Sequence, residues 1–186
     1  LGQSDTLNRS NPTNVGSSSF TLIAANTDFG TAIRSSDNGL FIWGNNSVGQ
    51  LGTQSTINYS SPIQVGSYQF VSSQARSPVQ VKFGIDNSWT NVYVGQSHMI
   101  GVYGTNTLYA WGINANGQYG DGTVVTRSSP SLLAYTYPKL QAGVNYTIFI
   151  NSAGLLYNTG QNDTAPGTGI LGLNDTINRS SPTNIG

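Results

Sequence analysis

His98 is the single histidine of the 186-residue chain, and every carboxylate side chain is an aspartate: Asp5, Asp28, Asp37, Asp86, Asp121, Asp163 and Asp175. A Ser-His-Asp triad or an imidazole metal site would have to be built on that one ring. Paired carboxylates for glycoside hydrolysis would have to come from scattered aspartates. Several of these have ready local roles, since Asp5 and Asp175 hold equivalent places in a repeated loop and Asp37 opens an Asp-Asn-Gly turn. Asp121-Gly122 hints at a calcium loop, but ligand spacing of the EF-hand type does not surround it. The absence of cysteine removes disulfides and thiolate metal sites. No catalytic residue, metal ligand or cofactor is assigned, and the chain is expected not to be an enzyme.

The cations are equally sparse. Seven Lys and Arg balance seven Asp, and charged residues make up only 8% of the chain. Counterion release from nucleic acid needs clustered Lys and Arg, so no nucleic-acid partner is expected. Arg9, Arg127 and Arg179 each lie three residues before a proline and would line up as a stripe on one face of a repeat array. Asp5 and Asp175 stand four residues before two of them, which favours local pairing over a phosphate-binding stripe. Asn-x-Ser/Thr sequons occur at Asn8, Asn45, Asn58, Asn145, Asn162, Asn174 and Asn178. Asn8, Asn58 and Asn178 share one phase, so sugar would project from the same loop of successive repeats if the protein is secreted. The alternative is that asparagine simply suits the turn.

These residues must be positioned by strands. Glu is absent and Lys occurs only twice, while Val, Ile, Thr, Tyr and Phe are plentiful, which favours strands and turns over helices. Short β-rich runs at Thr21–Ala24, Leu40–Trp43, Asn91–Val94, Met99–Val102, Leu108–Trp111, Tyr146–Ile150 and Leu155–Tyr157 are separated by Gly, Asn, Asp and Ser. Asp37-Asn38-Gly39 reads as a hairpin turn, because its residues tolerate positive φ. No apolar run reaches membrane-spanning length, so no membrane span is expected.

The strongest signal is internal repetition. Gly2, Gly52, Gly120 and Gly172 are each followed ten residues later by a proline, Pro12, Pro62, Pro130 and Pro182. LGQSDTLNRSNPTNVG, LGTQSTINYSSPIQVG and LGLNDTINRSSPTNIG are close copies. Upstream, FIWGNNSVGQLG matches YAWGINANGQYG, which places Trp43, Gly44 and Gly49 level with Trp111, Gly112 and Gly117. The third copy keeps Gly160, Asn162 and Gly172, replaces the tryptophan with Thr159, and inserts four residues around Pro166-Gly167. Phe29, His98 and Tyr146 share one position, which gives His98 a packing role.

This pattern resembles the repeat of the regulator of chromosome condensation family, most closely in WTNVYVGQSHMIGVYGTNTLYAWGINANGQYGDG. The resemblance implies an all-β fold of β-propeller blades, each a four-stranded antiparallel sheet. The residues divide as a partial repeat at 1–17, a repeat at 18–67, a repeat at 68–133 and a repeat at 134–186. The spacings of 50, 68 and 52 between the repeat glycines place an insertion at about 68–88. Tyr68, Phe70, Arg76, Lys82 and Phe83 in that insertion are a candidate partner-binding hairpin, with a plain connection as the alternative.

About three repeats cannot close a ring of four to eight blades, so the chain reads as part of a larger or multi-chain array. Its expected function is that of a structural or adhesive scaffold, extracellular or on a surface or filament, whose partners are protein: further copies of itself or further repeats of the same chain. The alternatives are an intracellular regulatory propeller in cytoplasm or nucleus (a nucleotide-exchange factor, chromatin binder or ligase accessory domain) and a secreted inhibitor or lectin-like binder.

Overall fold

A computed structural model describes residues 2–65, 88–163 and 169–186. The insertion residues Tyr68, Phe70, Arg76, Lys82 and Phe83 lie outside the described residues. Three antiparallel sheets of four strands account for the described fold, each a meander in which consecutive strands are neighbours. The first contains β1 (Phe20–Ala25), β2 (Phe29–Arg34), β3 (Leu40–Gly44) and β4 (Tyr59–Gln64). The second contains β5 (Trp89–Val94), β6 (His98–Tyr103), β7 (Thr107–Gly112) and β8 (Arg127–Leu132). The third contains β9 (Lys139–Ala142), β10 (Tyr146–Ile150), β11 (Leu156–Gly160) and β12 (Arg179–Asn184). No helix occurs among the described residues.

Local chemistry explains the turns and edges. The β2–β3 hairpin closes with Asn38 at a φ of 53°, and the Arg34 N–H donates to the Gly39 carbonyl at 2.9 Å. Pro62, Pro130 and Pro182 fall inside β4, β8 and β12, the outermost strands of their sheets. A residue that cannot donate to a ladder is tolerated there because no further strand asks it to.

Pairing partners share a sheet face. Leu22, Ile33 and Leu40 are successive partners across the first sheet, so they share what we term its trailing face. Ile23, Ala32 and Phe41 share the opposite, leading face. Ile33, Leu40 and Ile42 pack against Val92, Met99 and Trp111 of the second sheet in one buried cluster. Ile100, Leu108 and Ala110 of the second sheet pack against Leu140 and Phe149 of the third in another. Each sheet therefore lays its trailing face on the leading face of the next, as blades do in a propeller. The cores lie between sheets, so no blade has a complete core of its own.

Candidate functional site

The loop that ends at Gly52, Gly120 or Gly172 grows out of the end of a third strand, and the first two reach the following sheet. Three fully buried asparagines, Asn46, Asn114 and Asn162, set its shape. The Asn114 carboxamide accepts from the Tyr119 N–H at 2.9 Å and donates to the Thr123 carbonyl at 3.0 Å. Asn46 makes the same pair of bonds to Leu51 and Ser55, and Asn162 to Leu171 and Asp175. One side chain thus replaces a strand as the partner of two buried backbone groups, which would otherwise go unsatisfied. The sequence carried the clue in its repeated Gly-x-Asn, but the bracket role of Asn46 and Asn114 was not legible there.

So shaped, the loop clasps its neighbour. The Ser4, Gln54 and Gly122 N–H groups donate to the carbonyls of Ser60, Ser128 and Ser180, at 3.1, 2.7 and 2.7 Å. All three donors have left-handed backbone, with φ of 63°, 58° and 80°, and Asn174 repeats that conformation at 58°. Gly117 comes so close to the next sheet that a Cβ there would sit 2.4 Å from the Ser180 Cα. Gly49 meets the Ser128 Cα in the same way, at 2.7 Å. Gly2 and Gly52 lie against the indoles of Trp43 and Trp111 on the next sheet.

Where the third sheet lacks the indole, Thr159 takes its place. Its hydroxyl donates to the Gly117 carbonyl at 2.5 Å or to the Arg179 carbonyl at 2.6 Å, which bonds the loop directly to the strand. Tyr135 fills the vacated volume beside Gly120 and donates to the Tyr119 carbonyl.

Three of the ion pairs belong to the same loops. Arg9 pairs with Asp5 at 2.6 Å, Arg179 with Asp175 at 2.5 Å, and Arg127 with Asp121 at 2.6 Å. In the second copy Thr123 stands where the others have Asp5 or Asp175, and the acid has moved two residues upstream to Asp121. In the first internal copy Ser55 and Tyr59 replace both partners together. The pair is kept, relocated or lost as a unit, so these arginines neutralise their own loops rather than form an open phosphate-binding stripe. The Arg9 guanidinium, then the Leu7 N–H, hold the Asp5 carboxyl below its usual range. At Asp175 the Ile177 N–H leads and Arg179 adds to it.

His98 is fully buried, and its Nε2 lies 3.2 Å from the Thr147 hydroxyl of the third sheet. Burial pulls its pKa down to about 4, so the ring is neutral and takes no charge near neutral pH. Unfolding returns it to the ordinary value of 6.5. The unfolded chain then binds the proton that the native chain refuses, so stability is full above pH 6.5 and falls as pH drops toward 4. The whole step is about 3 kcal/mol. Urea titrations at pH 7 and pH 4.5 will show this loss in the parent. His98→Phe, which borrows the residue at position 29, is expected to flatten that limb, while the aspartate losses below pH 4 persist.

The sequon asparagines separate by environment. Asn162 is a correction: it is fully buried, with its amide hydrogen-bonded inside the bracket, so the folded protein offers it no room for a sugar. Asn58 and Asn178 are exposed, yet each Oδ1 accepts from the backbone N–H of a bracket asparagine at 2.7 Å. The Thr126 hydroxyl does the same for Asn114 at 3.3 Å, so the position asks for an acceptor rather than for a sequon. Asn8 and Asn174 are exposed, Asn45 is half-buried, and the amide of half-buried Asn145 donates to Gln161.

Among the described residues, two sheet faces stay open. Ile23 on the leading face of the first sheet is 79% exposed, whereas its equivalents Val92 and Leu140 are 4% and 8% exposed. Leu156 on the trailing face of the third sheet is 38% exposed, against 0% and 1% for Leu40 and Leu108. Beside Ile23 an apolar cleft of about 450 Å³ runs between Val15, Phe20, Ala25 and Trp43. Among the described residues, no group of three His, Cys, Asp or Glu is placed to hold a metal ion.

Residues 37–102 match the family model described as the regulator of chromosome condensation (RCC1) repeat. This stretch is an RCC1-like repeat. The chain is 32% identical over 103 residues to the ultraviolet-B receptor UVR8 of Arabidopsis thaliana, a match covering 55% of this chain and 20% of the receptor. Two solved structures share the fold. Human WBSCR16 superimposes with a TM-score of 0.68 at 15% identity, over 95% of this chain and 40% of that one. Prp20p from Saccharomyces cerevisiae gives 0.64 at 18% identity, over 90% and 38%. The chain therefore spans about two fifths or less of each relative's length. Seen beside them, the three described sheets form part of a propeller, and the clasps are what join one RCC1-like blade to the next.

Proposed function

We propose that this chain is a non-enzymatic protein-binding scaffold whose partners are further repeats of its own kind, at an extracellular or otherwise exposed surface. The observation that carries the reading is the pair of open, apolar and repeat-equivalent faces, marked by Ile23 at one end and Leu156 at the other. Residues of the same type at the same position are buried wherever a neighbouring blade exists, so the open faces have the shape of a missing neighbour. The polar side chains of the repeat motif are committed to brackets and clasps, and His98 is enclosed away from substrate, which supports a contact role over a chemical one. The low charge and the exposed Asn8 and Asn174 support the surface location. Sugar on those two residues in native material, found by mass spectrometry, would agree with it; unmodified peptides at both count against a secreted scaffold.

The contact role is tested by Ile23→Asp. A charge on an already exposed side chain leaves the fold intact, so circular dichroism should not change. Binding to repeat-type partners, read by sedimentation, should fall at least tenfold. Unchanged binding overturns the role of this face.

A second reading has its own support. Prp20p is described together with its binding to Gsp1p and histones, and the ultraviolet-B receptor carries related sequence, so a regulatory propeller inside the cell is the competing assignment. Surface labelling of intact cells separates the two, since only the scaffold is reached from outside.

A further inference from the structure

The joints between the described sheets are built alike but differ in one buried side chain. Phe29 opens β2 opposite Gly44, and His98 opens β6 opposite Gly112, so the two occupy the same place. Phe29 is buried in the apolar cluster between the first and second sheets. His98 is buried where the second sheet meets the third. The first joint is therefore closed by a hydrocarbon ring, and the second by a ring that can take a proton.

The hydrogen bonds around His98 fix its form. The Thr147 hydroxyl gives its one proton to the Gln118 carbonyl, 2.8 Å away, so toward His98 it can only accept. Nε2 must then carry the hydrogen. Nδ1 is the bare nitrogen, buried and with no partner among the described residues. A proton can enter only at Nδ1, where the dry enclosure offers it no acceptor. Nor can the charged ring withdraw into its own sheet. A Cβ on Gly95 would lie 2.2 Å from the His98 Cε1, and one on Gly112 would lie 2.9 Å from its Cα, so backbone fills both flanks. The wall that can move as a body is the third sheet, through Thr147.

Among the described residues, no charged side chain is bonded to the ring. The groups against it are Thr147 from β10, and Gly95 and Gly112 from its own sheet. Tyr146, beside Thr147, turns its ring onto Gly143. Tyr119 donates to the Gly112 carbonyl, and burial raises its pKa, so it stays neutral. On the loop of the same joint, burial raises the Asp121 pKa, but hydrogen bonds from Thr123 and Arg127 outweigh it. That carboxyl lies below 3.8 and keeps its charge at pH 4.5.

We propose that the joint between the second and third sheets is an acid-operated latch: protonation of His98 frees the third sheet while the first two stay together. Opening uncovers Ile100, Leu108, Leu140 and Phe149, which the closed joint hides, so acid presents an apolar face that neutral solution conceals.

Four amides read the two joints separately. The Gln96 and Gly122 N–H groups donate to the Val144 and Ser180 carbonyls across the second joint, at 3.0 and 2.7 Å. The Gln54 and Trp89 N–H groups donate to the Ser128 and Asn38 carbonyls across the first, at 2.7 and 3.2 Å. Hydrogen-exchange protection, corrected for the intrinsic rate at each pH, is compared at pH 7 and pH 4.5. It should fall about tenfold or more at Gln96 and Gly122, hold at Gln54 and Trp89, and return at pH 7. Equal loss at all four amides overturns the latch, as does protection that fails to return. His98→Phe should keep all four protected at pH 4.5, and loss at Gln96 and Gly122 in that variant also overturns it. If the variant misfolds, the parent decides, because nitrogen NMR reads its single imidazole directly. The ring should be the neutral Nε2–H tautomer at pH 7 and should gain its charge as Gln96 and Gly122 lose protection. A ring that charges while those two amides stay protected overturns the proposal.

Discussion

Gly117→Val is expected to detach the third blade. A side chain at that position meets the Ser180 Cα and the Arg179 carbonyl, at 2.4 and 2.6 Å from the Cβ, and neither atom can turn aside as a side-chain tip would. The backbone there has a φ of 81°, which a β-branched residue adopts only under strain. Strain and overlap together should cost about 3 kcal/mol or more, a large fraction of the roughly 5–15 kcal/mol that holds a domain folded. The loss is local because each sheet depends on its neighbour through the clasp. Limited trypsin digestion should therefore cut at Arg179 before Arg34, and hydrogen exchange should rise first in β11 and β12. Uniform exchange across all three sheets would show that the clasp does not hold the blade.

Trp111→Ala should be comparably severe and should act at the other interface. The indole is fully buried and lies against Gly52 of the preceding loop, within the cluster that joins the first and second sheets. Its ring stands 5.8 Å from that of Trp89, edge to face, and Trp89 in turn contacts Tyr103 and Tyr109. Removing it opens a cavity and should cost about 3–5 kcal/mol. In denaturant the first sheet should separate from the other two before they unfold. Thr at this position should not rescue the loss. Thr159 succeeds in the third sheet because Tyr135 supplies the missing volume and the Gly117 and Arg179 carbonyls accept its hydroxyl.

Much of the fold was legible because the repeat constrains residues that tolerate few substitutes. Gly117 and Gly52 are fixed by close approaches, and Pro62, Pro130 and Pro182 by edge strands that ask for no donor, so spacing exposes the repeat, and its resemblance to a known family implies the blade. Most of the strands it hid carry no alternation, while β9, Lys139–Ala142, alternates but is only four residues long. β2, Phe29–Arg34, is buried on both faces and built partly of Gly30, Thr31 and Ala32, so no polar side marks it. β4, β8 and β12 read YSSPIQ, RSSPSL and RSSPTN, which look like loops and form strands only because a third strand lies beside them. The site was less legible still. Asn162 is a possible sugar site as a sequon, whereas its neighbours in space make it a bracket. Ile23, Val92 and Leu140 are alike as letters, and only the presence or absence of an adjoining sheet tells them apart.

The clasps carry a mechanical consequence. Each loop is covalently part of one sheet and is held to the next by hydrogen bonds, a glycine contact and a buried side chain such as Leu51 or Tyr119, so tension along the chain loads these fastenings in series. Pulled from its ends, the molecule should yield in discrete steps, one blade at a time, with the intact blades bearing the load meanwhile. The bracket asparagines keep a released loop in its working shape, so the fastening can close again when the force is withdrawn.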